Sequence, residues 1–160
     1  MIFITLGSQK FQFNRLLRVV DELIENGTIT EPVFAQIGHS NYVPVNFEYQ
    51  CFLDRDEYTL KIDQSDIVIT HGGTGAIISA VKKGKKVIAV PRLAEFGEHI
   101  DNHQLQIIKQ FQELDLICEC YDIKKLDEAL RKAQTLVYKE YRSNTQMIIK
   151  SIMSFIEEKV

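Results

Sequence analysis

The residues with the clearest capacity for chemistry form a glycine-rich turn between a predicted strand and a predicted helix. The run reads Thr70-His71-Gly72-Gly73-Thr74-Gly75. Glycine lacks a β-carbon, so the backbone can turn sharply there, and a diphosphate can approach the free amides at the helix start. The helix dipole also attracts an anion. The run therefore predicts a phosphate site, although an ordinary strand-to-helix turn uses glycine in the same way.

Two common classes of nucleotide-binding loop do not match this turn. The lysine of G-x-x-x-x-G-K-[ST] is missing, and the glycine spacing differs from G-x-G-x-x-G, so ATPase and dehydrogenase functions are disfavoured. A second turn, Gly7-Ser8-Gln9, follows the first predicted strand. In a parallel sheet this turn would lie at the same edge as the His71 turn, so both can contact one anion.

A third polar segment, from Phe96 to Gln104, follows another predicted strand. Within it, Glu98, His99 and Asn102 offer carboxylate, imidazole and amide groups, which suit sugar hydroxyls. His99 and His103 could instead share a zinc ion. That alternative is disfavoured because the position after His99 is Ile100, where the H-E-x-x-H motif has glutamate.

One acidic pair also has to be weighed as a metal site. Asp54 and Asp56 formally match the D-x-D pattern that holds manganese in some transferases. Glu57 stands three residues after Asp54, which is the spacing of a helix capping box. The acidic pair is therefore explained as the start of a helix, and no metal ligand is predicted in the chain.

Short β-branched runs alternate with helical periods, which predicts a single α/β domain over residues 1–160 with a Rossmann-like parallel sheet and flanking helices. The predicted strands are 2–6, 32–37, 45–52, 66–70, 86–90 and 116–119. The predicted helices are 13–25, 54–64, 75–83, 98–112 and 124–133. A last helical pattern over 138–160 has a broad apolar face, which could pack on the sheet or dock a partner.

Composition limits the functions that remain. The net charge of −3 gives no basic field, so nucleic-acid binding is disfavoured. Three cysteines are an odd number, and no secretory leader or membrane-spanning stretch is visible, so a reducing cytosol is the expected location.

In its turns and their order, the chain resembles the carboxyl-terminal half of B-type glycosyltransferases of family 28. Small stand-alone members of this family include the catalytic subunit of dolichol-linked chitobiose synthase and bacterial capsule or exopolysaccharide β-1,4-galactosyltransferase subunits. The stretch from Pro91-Arg92 to Phe96-Gly97-Glu98-His99 is similar to the capsule enzymes in particular. The matching segments are Thr5–Gln9, Phe11–Leu17, Gln36–Tyr42, Ser65–Gly75 and Val90–Gln104.

The resemblance implies a role for each segment. The diphosphate would bind at the first two turns, uracil at the end of the third predicted strand, and the donor sugar at the polar segment. Many relatives bind the ribose through a glutamate where this chain has Ser79. The donor-site residues expected on this basis are Gly7, Ser8, Gln9, Phe52, Leu53, His71, Gly72, Gly73, Thr74, Gly75, Ser79, Glu98, His99, Asn102 and Gln104.

The function implied is an inverting, metal-independent transfer of a hexose, galactose in β-1,4 linkage, from a UDP-sugar to a lipid-linked saccharide. His71, Glu98 and His99 are the candidates for the general base. A membrane-associated partner subunit would complete the cleft and hold the chain at the inner face of the membrane. Two alternatives stay open: an N-acetylglucosaminyltransferase that uses UDP-GlcNAc, and a noncatalytic nucleotide-sugar-binding subunit. No cofactor is expected.

Overall fold

The computed structural model describes residues 1–142, which form an α/β sandwich around one sheet. The strands are β1 (Ile2–Thr5), β2 (Val33–Gln36), β3 (Glu48–Gln50), β4 (Ile67–Thr70), β5 (Lys86–Ala89) and β6 (Cys118–Glu119). The helices are α1 (Asn14–Glu25), α2 (Arg55–Gln64), α3 (Thr74–Val81), α4 (His103–Glu113) and α5 (Leu126–Thr135).

The sheet is parallel throughout, in the order β3-β2-β1-β4-β5-β6. β1 pairs with β2 on one side and with β4 on the other, so the chain turns in opposite directions after β1 and β4. This reversal leaves a crevice beyond the carboxyl ends of the two strands, which is where open α/β sheets bind ligands. The predicted fold class is confirmed.

Alternating side chains of the strands build a core on each face of the sheet. In β1, Ile2 and Ile4 pack with α1 and α5, whereas Phe3 packs with α2, α3 and α4 on the opposite face. Both faces are covered, which explains why the central strands are runs of Ile and Val rather than an apolar-polar alternation. The two cores fix β1 and β4 side by side, and with them the turns that follow.

The prediction of a helix beginning at Glu98 is wrong for its first turn, because α4 begins at His103. The preceding residues form a short 3-10 turn, Ala94–Phe96, which ends at Gly97 with φ 64°. Two side chains hold the loop after it in place. The Asn102 amide oxygen accepts from the Ala94 amide, and the Glu98 carboxylate accepts from the Leu93 amide.

The predicted C-terminal helix over 138–160 falls largely outside the described residues. Its start is corrected, because residues 138–142 are not helical. The Lys139 amide donates to the Asp115 carbonyl at 2.9 Å, and the Lys139 ammonium pairs with the Asp115 carboxylate at 2.8 Å. Because the Lys139 amide bonds to Asp115, it is not available for a helical hydrogen bond. Across residues 1–142, no helix has the length and apolarity needed to span a membrane.

Candidate functional site

A cleft of about 640 Å³ opens at the switch between β1 and β4. It is formed by the turns after both strands, the start of α2 and the first turns of α4. Of the residues expected in a donor site, the cleft brings together Gly7, Ser8, Gln9, Leu53, His71, Gly73, Thr74, Gly75, Ser79 and Gln104. The two glycine turns therefore meet in space, at the edge of the sheet where both were predicted to lie.

The imidazole of His71 joins the two turns. A β-carbon on Gly7 would lie 2.8 Å from His71 Cε1, and a β-carbon on Gly73 would lie 2.4 Å from His71 Nε2. Both distances are shorter than ordinary van der Waals contact, so the ring occupies space that a side chain at either position would need. Gly7 also has φ +70°, which residues with a β-carbon rarely adopt.

The start of α3 is left open toward the cleft. Its first helical hydrogen bond runs from Ile77 N to Gly73 O, so the amides of Thr74, Gly75 and Ala76 have no partner within the helix. Gly73 is the N-cap and has no side chain to fill this role. Three free amides at the positive end of a helix dipole, lining a cleft, make a site suited to phosphate.

The start of α2 lines the same cleft, but side chains already accept from its amides. The Asp54 carboxylate accepts from the amides of Asp56 and Glu57, and the Glu57 carboxylate accepts from the Asp54 amide. This confirms the predicted capping box, in which the Asp54 and Glu57 carboxylates each accept from backbone amides. Of these two helix starts, only that of α3 is available to an anion.

His71 is neutral at physiological pH. Its burial lowers the pKa to about 4, and the nearby Arg92 charge acts in the same direction. Nδ1 lies 3.3 Å from the Thr5 carbonyl, to which it donates, so the lone pair is on Nε2, beside the glycines. The predicted candidate for the general base therefore has a low affinity for a proton in the unliganded site.

Arg92 lies fully buried behind the two turns. Its guanidinium donates to the carbonyls of Leu6 and Phe11, which flank the first turn, and its backbone amide donates to Gln104 Oε1 at 2.9 Å. Arg92 thus ties the β1 turn to α4. Burial lowers its pKa to about 10, which leaves the side chain charged at neutral pH.

Glu98 is not among the residues that line the cleft, which argues against its predicted roles as a sugar ligand and a base candidate. Its side chain is fully buried and forms a bidentate ion pair with Arg15, with two N–O distances of 2.9 Å. One of its carboxylate oxygens, Oε2, also accepts from the Leu93 amide at 3.0 Å, at the start of the 3-10 turn. The structure assigns this carboxylate to joining α1 and the segment after β5.

Four other expected residues lie beside the cleft rather than in its lining. Gly72 packs against α4, where a β-carbon would be 2.8 Å from Ile108 Cδ1. The Phe52 ring, 47% exposed, packs edge-on against His39 with centroids 5.1 Å apart. Asn102 holds the 3-10 turn, and the His99 ring packs against Phe11 with centroids 4.5 Å apart.

Other lining residues were not expected from the sequence: Thr5, Gln36, Asp54, Arg55, Tyr58, Ala76, His103 and Ile107. One of them accounts for the neighbourhood of Ser79. The Tyr58 hydroxyl lies 3.4 Å from Ser79 Oγ, so two neutral hydroxyls from α2 and α3 meet at the point where the resemblance places a ribose. The capping box, which marked the start of α2 in sequence, could have indicated that Arg55 and Tyr58 follow on the same helix.

His99, Asp101 and His103 form a cluster whose ligand atoms lie within 4.8 Å of one another. Asp101 Oδ1 already accepts from the backbone amide of His103 at 3.0 Å and also contacts the His103 ring. The disfavoured zinc alternative is therefore not needed to explain why these groups meet. Among the residues that line the cleft, His103 is the imidazole that sequence reasoning left out of the donor site.

The parallel sheet and the crevice beside an open helix start define a doubly wound α/β domain. Solved glycosyltransferases share this fold. The glycotransferase of kitacinnamycin matches with a TM-score of 0.64 at 18% identity, over 84% of this chain and 34% of that one. MurG of Acinetobacter baumannii matches with a TM-score of 0.56 at 16% identity, over 83% of this chain and 42% of that one. The fold is thus that of the carboxyl-terminal half of B-type glycosyltransferases.

The model of the glycosyltransferase family 28 C-terminal domain matches residues 1–158. The chain belongs to this family.

Curated relatives are the UDP-N-acetylglucosamine transferase subunits ALG13. That of Saccharomyces cerevisiae is 36% identical over 74 residues, which are 46% of this chain and 35% of that protein. That of Homo sapiens is 32% identical over 83 residues, 49% of this chain and 7% of that protein. The matches thus span about a third of the yeast protein and less than a tenth of the human one. An NMR structure of ALG13 matches over 94% of this chain and 93% of that one, with a TM-score of 0.59 and 22% identity.

Proposed function

We propose that this chain is the donor-binding subunit of a sugar transferase and grips the diphosphate of a UDP-sugar in the cleft between β1 and β4. The observation that carries the proposal is the open start of α3, where the amides of Thr74, Gly75 and Ala76 face the cleft without helical partners. Membership of the family supports a sugar nucleotide over other phosphate ligands.

The donor sugar we propose is N-acetylglucosamine. The curated relatives are named as UDP-N-acetylglucosamine transferase subunits, and they match over 42% to 49% of this chain in three cases. Galactose and a role in capsule synthesis, which the Pro91 to His99 stretch suggested, have no support among these relatives. N-acetylglucosamine is therefore the first donor to test and galactose the second.

The proposed reaction is an inverting transfer without a metal ion. As the bond between the sugar and the diphosphate breaks, negative charge grows on the departing UDP. Preorganised amides at a helix start stabilise such a charge without reorganising during the reaction. Arg55 lines the cleft and Arg92 lies buried behind it, and both cationic side chains add positive potential at the same edge of the sheet.

The acceptor we propose is a lipid-linked saccharide, delivered by a membrane-associated partner subunit. The cleft is bordered by turns and helix starts along the sheet edge and has no opposite wall in residues 1–142. The curated relatives are named as transferase subunits, which supports a partner chain that completes the cleft. A cytoplasmic position against the inner face of the membrane follows from this proposal.

Calorimetric titration tests the donor. UDP, UDP-GlcNAc, UDP-galactose and GDP are added in turn to the purified full chain. Binding of UDP and UDP-GlcNAc, with weaker binding of GDP, supports the proposal. The two sugars are separated next by offering radiolabelled UDP-GlcNAc or UDP-galactose to membranes that contain the chain, its partner and the acceptor lipid. Label in the lipid from UDP-galactose alone would refute N-acetylglucosamine as the donor sugar.

A noncatalytic, nucleotide-sugar-binding subunit is the second candidate. It is favoured by the state of the three base candidates: Glu98 is held in an ion pair, His99 lies outside the cleft lining, and His71 has a low pKa. Tight UDP binding together with label transfer that is insensitive to substitutions in the cleft would support this candidate over the first.

A further inference from the structure

The imidazole of His103 lines the cleft and has the surroundings that a general base needs. His103 is the first residue of α4 and lines the cleft together with Gly73, Thr74 and Gln104. Its side chain is 46% exposed, so an acceptor hydroxyl can reach it. Its Nδ1 contacts Asp101 Oδ1. A carboxylate at Nδ1 fixes the tautomer with the proton on that nitrogen and leaves the lone pair on Nε2.

The carboxylate of this pair is ionised and held in position. The hydrogen bond to His103 keeps the pKa of Asp101 below its usual value. Asp101 Oδ1 also accepts from the His103 backbone amide at 3.0 Å, so one oxygen is fixed by the helix start and by the ring together. The His103 ring packs edge-on against His99, with centroids 4.7 Å apart, and His99 packs on Phe11. These contacts fix the plane of the imidazole.

The other titratable groups that line the cleft are less suited to take a proton. Asp54 caps α2 with the oxygen that accepts from two backbone amides. Arg55 is a cation, and the Tyr58 hydroxyl lies against Ser79. Burial lowers the pKa of His71 to about 4. Among the described residues that line the cleft, His103 remains as the accessible imidazole with a carboxylate partner.

We infer that His103 is the general base of the transfer and that Asp101 positions it. In the step, the acceptor hydroxyl oxygen bonds to the anomeric carbon of the donor sugar. The bond from that carbon to the phosphate oxygen breaks, and its electron pair leaves with UDP. The hydroxyl proton passes to His103 Nε2. The inference rests on the proposed function, since it names the base for that reaction.

Two matched substitutions test the pair. His103→Gln keeps hydrogen-bonding groups at the position but cannot accept the proton, so kcat for label transfer falls by about 100-fold or more. Asp101→Asn keeps an oxygen that can accept from the His103 amide, so the start of α4 is preserved, but the carboxylate is lost and kcat falls by about 10-fold. Lys109→Gln, on the exposed surface of α4, serves as the control with unchanged transfer.

The measurements are made on the full chain in membranes with its partner and acceptor lipid. Both variants should retain the wild-type KM for the donor and the wild-type UDP affinity by calorimetry. The ring-nitrogen shifts of His103 should report the Nδ1–H tautomer in the wild type and its loss in Asp101→Asn.

Equal kcat for His103→Gln and wild type would overturn the inference while leaving the proposed function intact. So would an Nε2–H tautomer in the wild-type chain. Loss of transfer on adding EDTA, restored by zinc, would also overturn it, because His99, Asp101 and His103 would then act as ligands. Absence of transfer by the wild type with either sugar would overturn the proposed function, and the inference with it.

Discussion

Replacing Gly73 by alanine is the sharpest perturbation of the cleft. The backbone at Gly73 has φ −73° and ψ 129°, which alanine adopts without strain, so the effect is that of the methyl group alone. The methyl carbon would lie 2.4 Å from His71 Nε2, and ordinary contact needs roughly 3.5 Å, so the imidazole or the turn has to move by about 1 Å.

That displacement acts on both stability and binding. Overpacking and loss of the hydrogen bond from His71 to the Thr5 carbonyl together lower the free energy of unfolding by about 2–4 kcal/mol. If the turn moves, at least one charge-assisted bond from the start of α3 to the diphosphate is lost. Such a bond contributes about 1.5–3 kcal/mol, so the affinity for UDP falls by about 10- to 100-fold in calorimetry.

A destabilised control separates the two effects. Leu130 lies in α5, in the core on the sheet face away from α3, and Leu130→Ala should cost a similar 2–5 kcal/mol without touching the cleft. It should bind UDP like the wild type at a temperature where both chains are folded. Wild-type UDP affinity in Gly73→Ala, or an equal loss in Leu130→Ala, would refute the reasoning that the Gly73 turn forms the diphosphate site.

Three further predictions concern the groups around the cleft. Glu98→Gln breaks the buried pair with Arg15 and should lower the free energy of unfolding in urea by about 3 kcal/mol, with UDP affinity near wild type; a loss of affinity as large as that of Gly73→Ala would return Glu98 to the donor site. His71 takes up its proton near pH 6.5 when unfolded but near pH 4 when folded, so its contribution to stability is present above pH 6.5 and is lost as the pH falls toward 4. Urea titrations at both pH values should show the wild type losing about 3 kcal/mol more than His71→Asn, and equal losses would contradict the burial of a neutral ring. Asp21 accepts from the Tyr42 hydroxyl and from the amides of Val45 and Asn46. Asp21→Ala should therefore lower the free energy of unfolding in urea by about 3 kcal/mol and expose the 39–47 loop to protease. An unchanged free energy of unfolding would show that these bonds do not stabilise the fold.

The sheet and its turns could be predicted from the sequence because local patterns carry them. Runs such as Ile67–Thr70, followed by glycine and a helical period, indicate a strand, a turn and a helix in order. Parallel strands end at one sheet edge, so the sequence places the Gly7 and Gly73 turns at the same edge. That the two turns meet depends on the pairing of β1 with β4, which the structure shows. The capping box at Asp54 was predicted on the same local grounds.

The side chains of the segment after β5 could not be placed in this way. A helical pattern from Glu98 predicts that the carboxylate points into the site. In the structure the carboxylate instead pairs with Arg15, which is distant in sequence, and α4 begins only at His103. Arg92 is an arginine that composition would place at the surface, and its burial depends on carbonyls at Leu6 and Phe11. The position of His103 in the cleft follows from these tertiary bonds.

A titration of the isotope-labelled chain with UDP, followed by amide NMR, tests the central claim most directly. The account predicts that the largest shift changes fall on the amides of Gly7 and Ser8 and on those of Thr74, Gly75 and Ala76, at the open start of α3. Changes confined to other surfaces, or a spectrum unaltered at millimolar UDP, would contradict it.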